Sequence, residues 1–137
     1  MSEGNLSIRR VGALVALIVI AAFVCRLALA LQAGGLLRGV DPDAYLAIAE
    51  NLSWGNGYAP VAGVPTAYRP PMYPLFLAAV EVFSNHRTWV AVVVQCLISA
   101  LAVAGVFGIA KELGGALAGV LAALVTAIDP FLIHTAG

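Results

Sequence analysis

The sequence predicts an all-α membrane protein with three transmembrane helices and two short interfacial helices in the loop between spans 1 and 2. Composition is the first reason: hydrophobic residues make up 62% of the 137 residues, charged residues only 10%, and the mean hydropathy is +0.99. A soluble domain carries about 25% charged residues, and a core of this size cannot bury so much apolar surface. The second reason is that long apolar runs flank a single section rich in charge, Pro and Gly.

The apolar runs set the predicted organisation of the chain. It consists of a cytoplasmic tail at 1–10, transmembrane helix 1 at 11–33, an external loop with interfacial helices at 34–87, transmembrane helix 2 at 88–110, transmembrane helix 3 at 114–133 and a truncated end at 134–137. About 20 apolar residues cross a bilayer as a helix, and residues 11–33 exceed that number. A cleaved signal peptide is the competing interpretation of this first run, although the run is long for one.

Two short helices are predicted inside the loop. The first begins at Asp41-Pro42, because Asp is a favoured N-cap and Pro a favoured first helical residue, and it ends at Gly55-Asn56-Gly57. The second covers Pro74 to Phe83 and is apolar almost all round, which predicts burial in protein or in the membrane interface. The segment between them contains five prolines and glycines, which disfavour a helix there.

The loop also holds the residues that could carry chemistry. Asp41 and Asp43 start the first short helix, where a carboxylate either caps the helix or acts as a general base or a metal ligand. Arg69 lies between Tyr68 and two prolines that stiffen the backbone, and its guanidinium fork is matched to phosphate oxygens. An ordinary interfacial arginine is the alternative interpretation of Arg69. Arg26, near the end of the first span, is expected to snorkel to the interface.

Other features of the residues narrow the function classes. The formal net charge is zero, which argues against a nucleic-acid partner. His86 and His134 have no companions at metal-ligand spacing. Glu81 interrupts an apolar helix and is expected to pair with Arg87 or with another partner. The cations leave the orientation undecided by the positive-inside rule, since three lie on each side of the predicted spans (Arg9, Arg10 and Lys111 against Arg38, Arg69 and Arg87).

Three segments of the loop together resemble the loop of a known family. The segments are Asp41 to Leu52, Gly55 to Tyr58, and Pro65 to Ala78, the last of which contains Tyr68-Arg69-Pro70-Pro71. They are similar to the first external loop of GT-C fold glycosyltransferases that depend on a polyprenyl-phosphate sugar, in the dolichyl-phosphate-mannose-protein mannosyltransferase-like group. The resemblance runs from the first span through Pro130.

The resemblance implies an activity and roles for individual residues. Such enzymes transfer a sugar, with inversion, from a polyprenyl-phosphate donor to a lipid, glycan or protein acceptor on the outer face. The family's acidic residue before the Tyr corresponds to Asp41, and because Pro42 replaces the second acid of many relatives, Asp43 is a second candidate. Arg69 would contact the donor phosphate or brace the loop. Tyr45 and Tyr68 would bind substrate, and a divalent cation is left open as a cofactor.

The resemblance also bears on location and completeness. It implies a bacterial or archaeal plasma membrane, with the N-terminus in the cytoplasm and residues 34–87 outside. Relatives have more spans, so the chain is expected to be an N-terminal piece that is inactive by itself. The alternative function is a non-catalytic membrane scaffold or assembly subunit that retains the loop fold, since small residues in the spans suit helix association.

Overall fold

The computed structural model of the protein describes residues 3–33, 41 and 43–129. Four helices occupy most of these residues: α1 (Glu3–Ala33), α2 (Tyr45–Ser53), α3 (Met72–Ser84) and α4 (Thr88–Ile128). Among the described residues the extended structure is limited to one isolated bridge between Val61 and Val64, so the prediction of an all-α fold is confirmed. The chain divides into a spanning unit (1–32 with 95–137) and a loop unit (33–94), each compact in itself.

Two helices are long and apolar enough to cross a membrane. They are Arg9–Gln32, with a mean hydropathy of 2.8, and the 41-residue stretch Thr88–Ile128, with a mean hydropathy of 2.5. A straight helix of the second length would reach about 60 Å, which is about twice the hydrocarbon thickness of a bilayer. The chain is therefore an integral membrane protein, and the predicted second and third spans both fall within α4, which is interrupted at Gly115.

A single residue divides α4 into two arms. Gly115 has φ 81° and ψ −180°, a backbone conformation that is essentially reserved for glycine. The gap predicted between spans 2 and 3, at residues 111–113, is helical in the structure, because the helix continues through Lys111 and Glu112. Their charged side chains are compatible with an exposed helix surface, and only the missing Cβ of Gly115 permits the break.

The two arms of α4, residues 88–114 and 116–128, lie side by side. A Cβ atom on Gly119 would come within 2.9 Å of the Phe107 ring and 3.0 Å of its carbonyl oxygen. Val103 and Ala123 belong to one buried cluster together with Ile18 and Ala22 of α1. Close approach at a small residue is the mode of packing expected between membrane helices. Residues 130–133 of the predicted third span lie outside the described residues, and that span stays a prediction.

Arg26 is buried inside the spanning unit, so the expectation that it snorkels is wrong. Its side chain is 0% exposed, and Nη2 donates a hydrogen bond of 3.0 Å to the carbonyl oxygen of Thr126. That carbonyl would ordinarily accept from the residue four positions on, which is Pro130 and has no N–H. A cation at the C-terminal end of α4 is also favoured by the helix dipole.

The loop unit is built on the packing of α2 against α3. Leu77, Ala78 and Ala49 form a buried cluster with Ala91 from the start of α4. Burying each larger apolar side chain contributes roughly 1.5–3 kcal/mol. The second predicted helix, 74–83, is found as α3 with one or two further residues at each end.

The first predicted helix begins later than expected. Ala44 adopts a left-handed conformation (φ 59°) and α2 starts only at Tyr45, whereas the start was predicted at Asp41-Pro42. Asp41 nevertheless supplies a cap from outside the helix, because its Oδ2 accepts a 2.9 Å hydrogen bond from the backbone N–H of Ala47. Pro42 lies outside the described residues.

Candidate functional site

Of the five residues predicted for the site, three converge on the guanidinium of a fourth, Arg69. Its Nη2 lies 2.7 Å from Oδ1 of Asp43. Its central carbon lies 4.8 Å from the ring centroid of Tyr68 and 5.5 Å from that of Tyr45. Both distances are within the range of cation–π attraction. Asp43 and Arg69 are separated by 26 positions in the sequence, so the path of the loop brings them together.

Tyr58 fixes that path and was not predicted as a site residue. Its hydroxyl donates a 2.9 Å hydrogen bond to the carbonyl oxygen of Arg69, and the carbonyl oxygen of Pro70 lies 3.3 Å from the same hydroxyl. The backbone N–H of Thr66 donates to the carbonyl oxygen of Tyr58, which closes the loop from its other side. No sequence signal identifies Tyr58 in this role, because its hydroxyl bonds to backbone oxygens, which every residue carries.

The two aspartates have different roles in the loop. Asp41, which is half-buried, accepts a hydrogen bond from the N–H of Ala47 in the first turn of α2, although the N-cap position that was predicted for it is occupied by Ala44. Among the described residues, the Ala47 N–H is the hydrogen-bond partner of this carboxylate, and it bonds to Oδ2. Asp43 is 55% exposed and holds Arg69. The carboxylate of Asp43 is therefore paired with a cation, whereas that of Asp41 has one oxygen bonded to the backbone.

Aromatic rings extend the cluster towards α3. Tyr45 and Tyr73 meet edge to face with centroids 5.2 Å apart, and Tyr73 stacks with Phe76 at 6.4 Å. Aromatic pairs of this kind contribute about 0.5–1.5 kcal/mol beyond the area they bury. Tyr68, in contrast, is 82% exposed. Tyr45 is thus a support for Arg69, whereas the Tyr68 ring is accessible to a ligand.

A second polar group lies where α2 and α3 end. Glu81 is only 2% exposed, and burial is the main cause that raises the pKa of this carboxyl, with the neighbouring Glu50 adding to the effect. A hydrogen bond from Ser53 and the nearby His86 oppose the shift of this pKa. His86 also stacks on Trp54, with centroids 4.3 Å apart. The expected pairing with Arg87 is absent from the ion pairs of the described residues.

The ligand chemistry of the site follows from these groups. Arg69 uses one of its nitrogens on Asp43, and a guanidinium carries five N–H donors, so donors remain for phosphate oxygens. Asp41 can accept a proton or a hydroxyl hydrogen bond. Among the described residues there is no group of three or more His, Cys, Asp or Glu side chains that could hold a metal ion. The arrangement suits a phosphate ester and a hydroxyl compound together.

Comparison with protein families gives one match. The family described as dolichyl-phosphate-mannose-protein mannosyltransferase matches residues 68–136, about half of the chain. The match starts at Tyr68 and includes Arg69, whereas Asp41, Asp43 and Tyr45 precede it. Neither the curated proteins nor the solved structures gave a match.

Proposed function

Because the chain belongs to the dolichyl-phosphate-mannose-protein mannosyltransferase family, we propose that its loop carries part of a glycosyltransferase site. The reaction is transfer of a sugar, with inversion, from a polyprenyl-phosphate donor to an acceptor hydroxyl. The site faces the outside of the plasma membrane, and the N-terminus lies in the cytoplasm. The observation that carries the proposal is Arg69, which is held by Asp43 and Tyr58 in the segment where the family match begins.

Arg69 binds the phosphate of the donor in this mechanism. The nitrogens that Asp43 does not use donate to the phosphate oxygens, and charge-assisted bonds of this type are about twice as strong as neutral ones. Negative charge develops on that phosphate as the sugar leaves, so a fixed cation stabilises the transition state. Tyr68, exposed beside the guanidinium, contacts the sugar or the phosphate.

Asp41 acts as the general base. Its free oxygen takes the proton of the acceptor hydroxyl while the acceptor oxygen attacks the anomeric carbon, and the bond between that carbon and the phosphate oxygen breaks. Polyprenyl phosphate leaves, and attack from the opposite face inverts the anomeric configuration. Asp43 is a positioning residue, since its charge is already engaged by Arg69. No step is assigned to a divalent cation, for which Asp41 and Asp43 would be the candidate ligands in the loop.

The test replaces Asp41 by Asn. Asn caps helices as well as Asp does, so the Ala47 bond and α2 persist while the base is lost. We expect transfer from polyprenyl-phosphate mannose in membranes to fall about 10²–10⁴-fold, the usual contribution of a general base. Glu50→Gln, which removes an exposed carboxylate from α2, is the matched control and should retain transfer.

Two results would contradict the proposal in different ways. Full transfer by Asp41→Asn would remove Asp41 from the mechanism. Absence of transfer by the unaltered full-length protein, in which the Asp41→Asn variant is also assayed, with every polyprenyl-phosphate sugar tried would contradict the activity itself. An Arg69→Lys variant separates the remaining roles: weaker donor binding with an unchanged fold places the guanidinium on the phosphate, because ammonium lacks the two-pronged geometry.

A further inference from the structure

Helix α3 has two apolar faces, and protein covers only one of them. Pro74, Leu77 and Ala78 lie on the face that is buried against the rest of the loop unit. The opposite face is exposed and equally apolar: Met72 is 78% exposed and Phe83 92%. An exposed apolar surface on this scale marks an interaction site.

A groove runs beside that exposed face, between α3 and the start of α4. Its cavity of about 420 Å³ is lined mainly by apolar side chains, among them Phe76, Phe83, Val90 and Val94. This volume lies in the range of small-ligand sites, which are mostly apolar with a few polar groups that orient the ligand. Here the polar groups are Ser84 and Arg87.

Arg87 gives the groove a charged end. Its side chain is exposed, and its guanidinium has no hydrogen bond or ion pair among the described residues. The backbone beside it is fixed, because Oγ of Ser84 accepts a 3.2 Å bond from the Arg87 N–H. The N–H donors of the guanidinium are therefore available to a ligand in the groove, at the level where α4 begins.

The start of α4, where Arg87 lies, is expected at the edge of the membrane. Arg87 immediately precedes Thr88, the first residue of the apolar helix α4. Trp89, half exposed, lines the groove one residue further on. Arginine and tryptophan at the end of a span lie at the level of lipid headgroups. An apolar groove with a phosphate-binding cation at one end, at this level, is complementary to a single phospholipid.

We propose that this groove binds one anionic membrane phospholipid, with an acyl chain along Phe83, Val90 and Val94 and the headgroup phosphate on Arg87. The groove shares Phe76 with the aromatic rings that extend the Arg69 cluster, but its proposed ligand does not depend on transfer activity. Arg87 and the apolar wall act on different parts of the lipid, so each can be removed without the other.

Tryptophan fluorescence gives a direct readout of occupancy. The chain has two tryptophans, so Trp54→Phe leaves Trp89 in the groove as the only reporter. The full chain is reconstituted in phosphatidylcholine vesicles with a small mole fraction of brominated phosphatidylglycerol, whose bromine atoms quench a tryptophan they touch. We expect more quenching than the same fraction of brominated phosphatidylcholine produces, since the latter measures random contact with the bilayer.

Three variants locate the binding. Arg87→Gln should remove the excess quenching by loss of the phosphate contact, and Ala79→Phe should remove it by filling the groove from an exposed position. Lys111→Gln, the matched loss of a cation elsewhere on α4, should keep it. Helicity measured by circular dichroism identifies a variant that has failed to fold, in which case the other groove variant decides.

Equal quenching by the two brominated lipids in the unaltered groove would overturn the proposal. So would excess quenching that survives both Arg87→Gln and Ala79→Phe. A third overturning result is displacement by unlabelled polyprenyl phosphate when unlabelled phosphatidylglycerol fails to displace, because the groove would then belong to the sugar donor.

Discussion

In the loop unit, polar side chains fix the course of the backbone, whereas in the spanning unit a glycine of one helical arm packs on a phenylalanine of the other. Asn51 donates from one amide to the carbonyl oxygens of Ala47 and Ala59, at 3.1 and 2.8 Å, much as Tyr58 holds Arg69. In the spanning unit, Gly119 packs directly on Phe107. A segment without regular structure has backbone groups that need partners, whereas a helix satisfies its own groups and is positioned by size and shape.

This difference predicts that added side-chain volume lowers the stability of the spanning unit, whereas the loop unit is sensitive to changes of charge. The largest effect is expected at Gly115, where φ 81° and ψ −180° disfavour any side chain. Gly115→Val should destabilise the protein by about 3 kcal/mol, because the turn between the two arms of α4 can no longer form without strain. Thermal unfolding in detergent, followed by circular dichroism, measures the effect.

An unchanged unfolding temperature for Gly115→Val would mean that α4 tolerates a straight path through Gly115. Gly105→Ala is the matched control, since its added Cβ would meet nothing within 4 Å. In a helix interior, that exchange should stabilise by roughly 0.5–1 kcal/mol.

Gly119 tests the contact between the arms directly. A Cβ would lie 2.9 Å from the Phe107 ring and 3.0 Å from its carbonyl oxygen. The ring can move, but the backbone oxygen can give way only if the arms separate. We expect Gly119→Ala to destabilise by about 1–3 kcal/mol, the usual cost of overpacking, in the same unfolding assay.

The matched control for Gly119 is Gly108→Ala, on the first arm, where a Cβ has open space. If Gly119→Ala stabilises as much as Gly108→Ala, the arms do not pack at this point.

Glu81 is the buried charge of the loop unit, and its effect depends on pH. Its folded-state pKa is raised above 4.5, mainly by burial and then by Glu50. The folded state consequently binds the proton more tightly than the unfolded state, and this contribution to stability is complete below pH 4.5. It is lost as pH rises through the folded-state pKa. Glu81→Gln should therefore match the unaltered protein at low pH and exceed its unfolding temperature at neutral pH.

The control for Glu81 is Glu112→Gln, which changes an exposed carboxylate on α4. It should leave the pH profile of the unfolding temperature as it is. If the unfolding temperatures of Glu81→Gln and of the unaltered protein differ by the same amount at every pH, the pKa of Glu81 is not raised by folding.

The sequence predicted helices well because hydropathy and helix propensity act locally. The apolar runs gave α1 and α4, and the Gly55-Asn56-Gly57 stop gave the end of α2 at Ser53. The boundary between spans 2 and 3 was predicted at 111–113, whereas the helix is interrupted at Gly115, because a polar pair and a glycine pair are both compatible with a break. Which of two adjacent glycines takes the positive φ depends on the packing of the arms.

The side-chain partners were harder to predict because they depend on the tertiary path. Arg26 meets the carbonyl oxygen of a residue 100 positions away, and spacing contains no information about that. The five site residues were named from the loop motifs, and three of them cluster on a fourth, Arg69. The hydroxyl of Tyr58, which sets the geometry of Arg69, is invisible to motif reasoning because its acceptors are backbone oxygens.

The smallest effect is expected from Asp43, where the comparison between the units is sharpest. Its ion pair with Arg69 is short, yet the two side chains are 55% and 27% exposed, and pairs of this kind contribute only about 0.2–1 kcal/mol. Asp43→Asn should therefore barely change the unfolding temperature. It should nevertheless weaken donor binding in the transfer assay, because Arg69 loses the carboxylate that orients it. A fall in stability as large as that of Gly119→Ala would mean that the ion pair between Asp43 and Arg69 is a main source of stability in the loop unit. Unaltered donor binding would mean that Tyr45, Tyr58 and Tyr68 suffice to place the guanidinium.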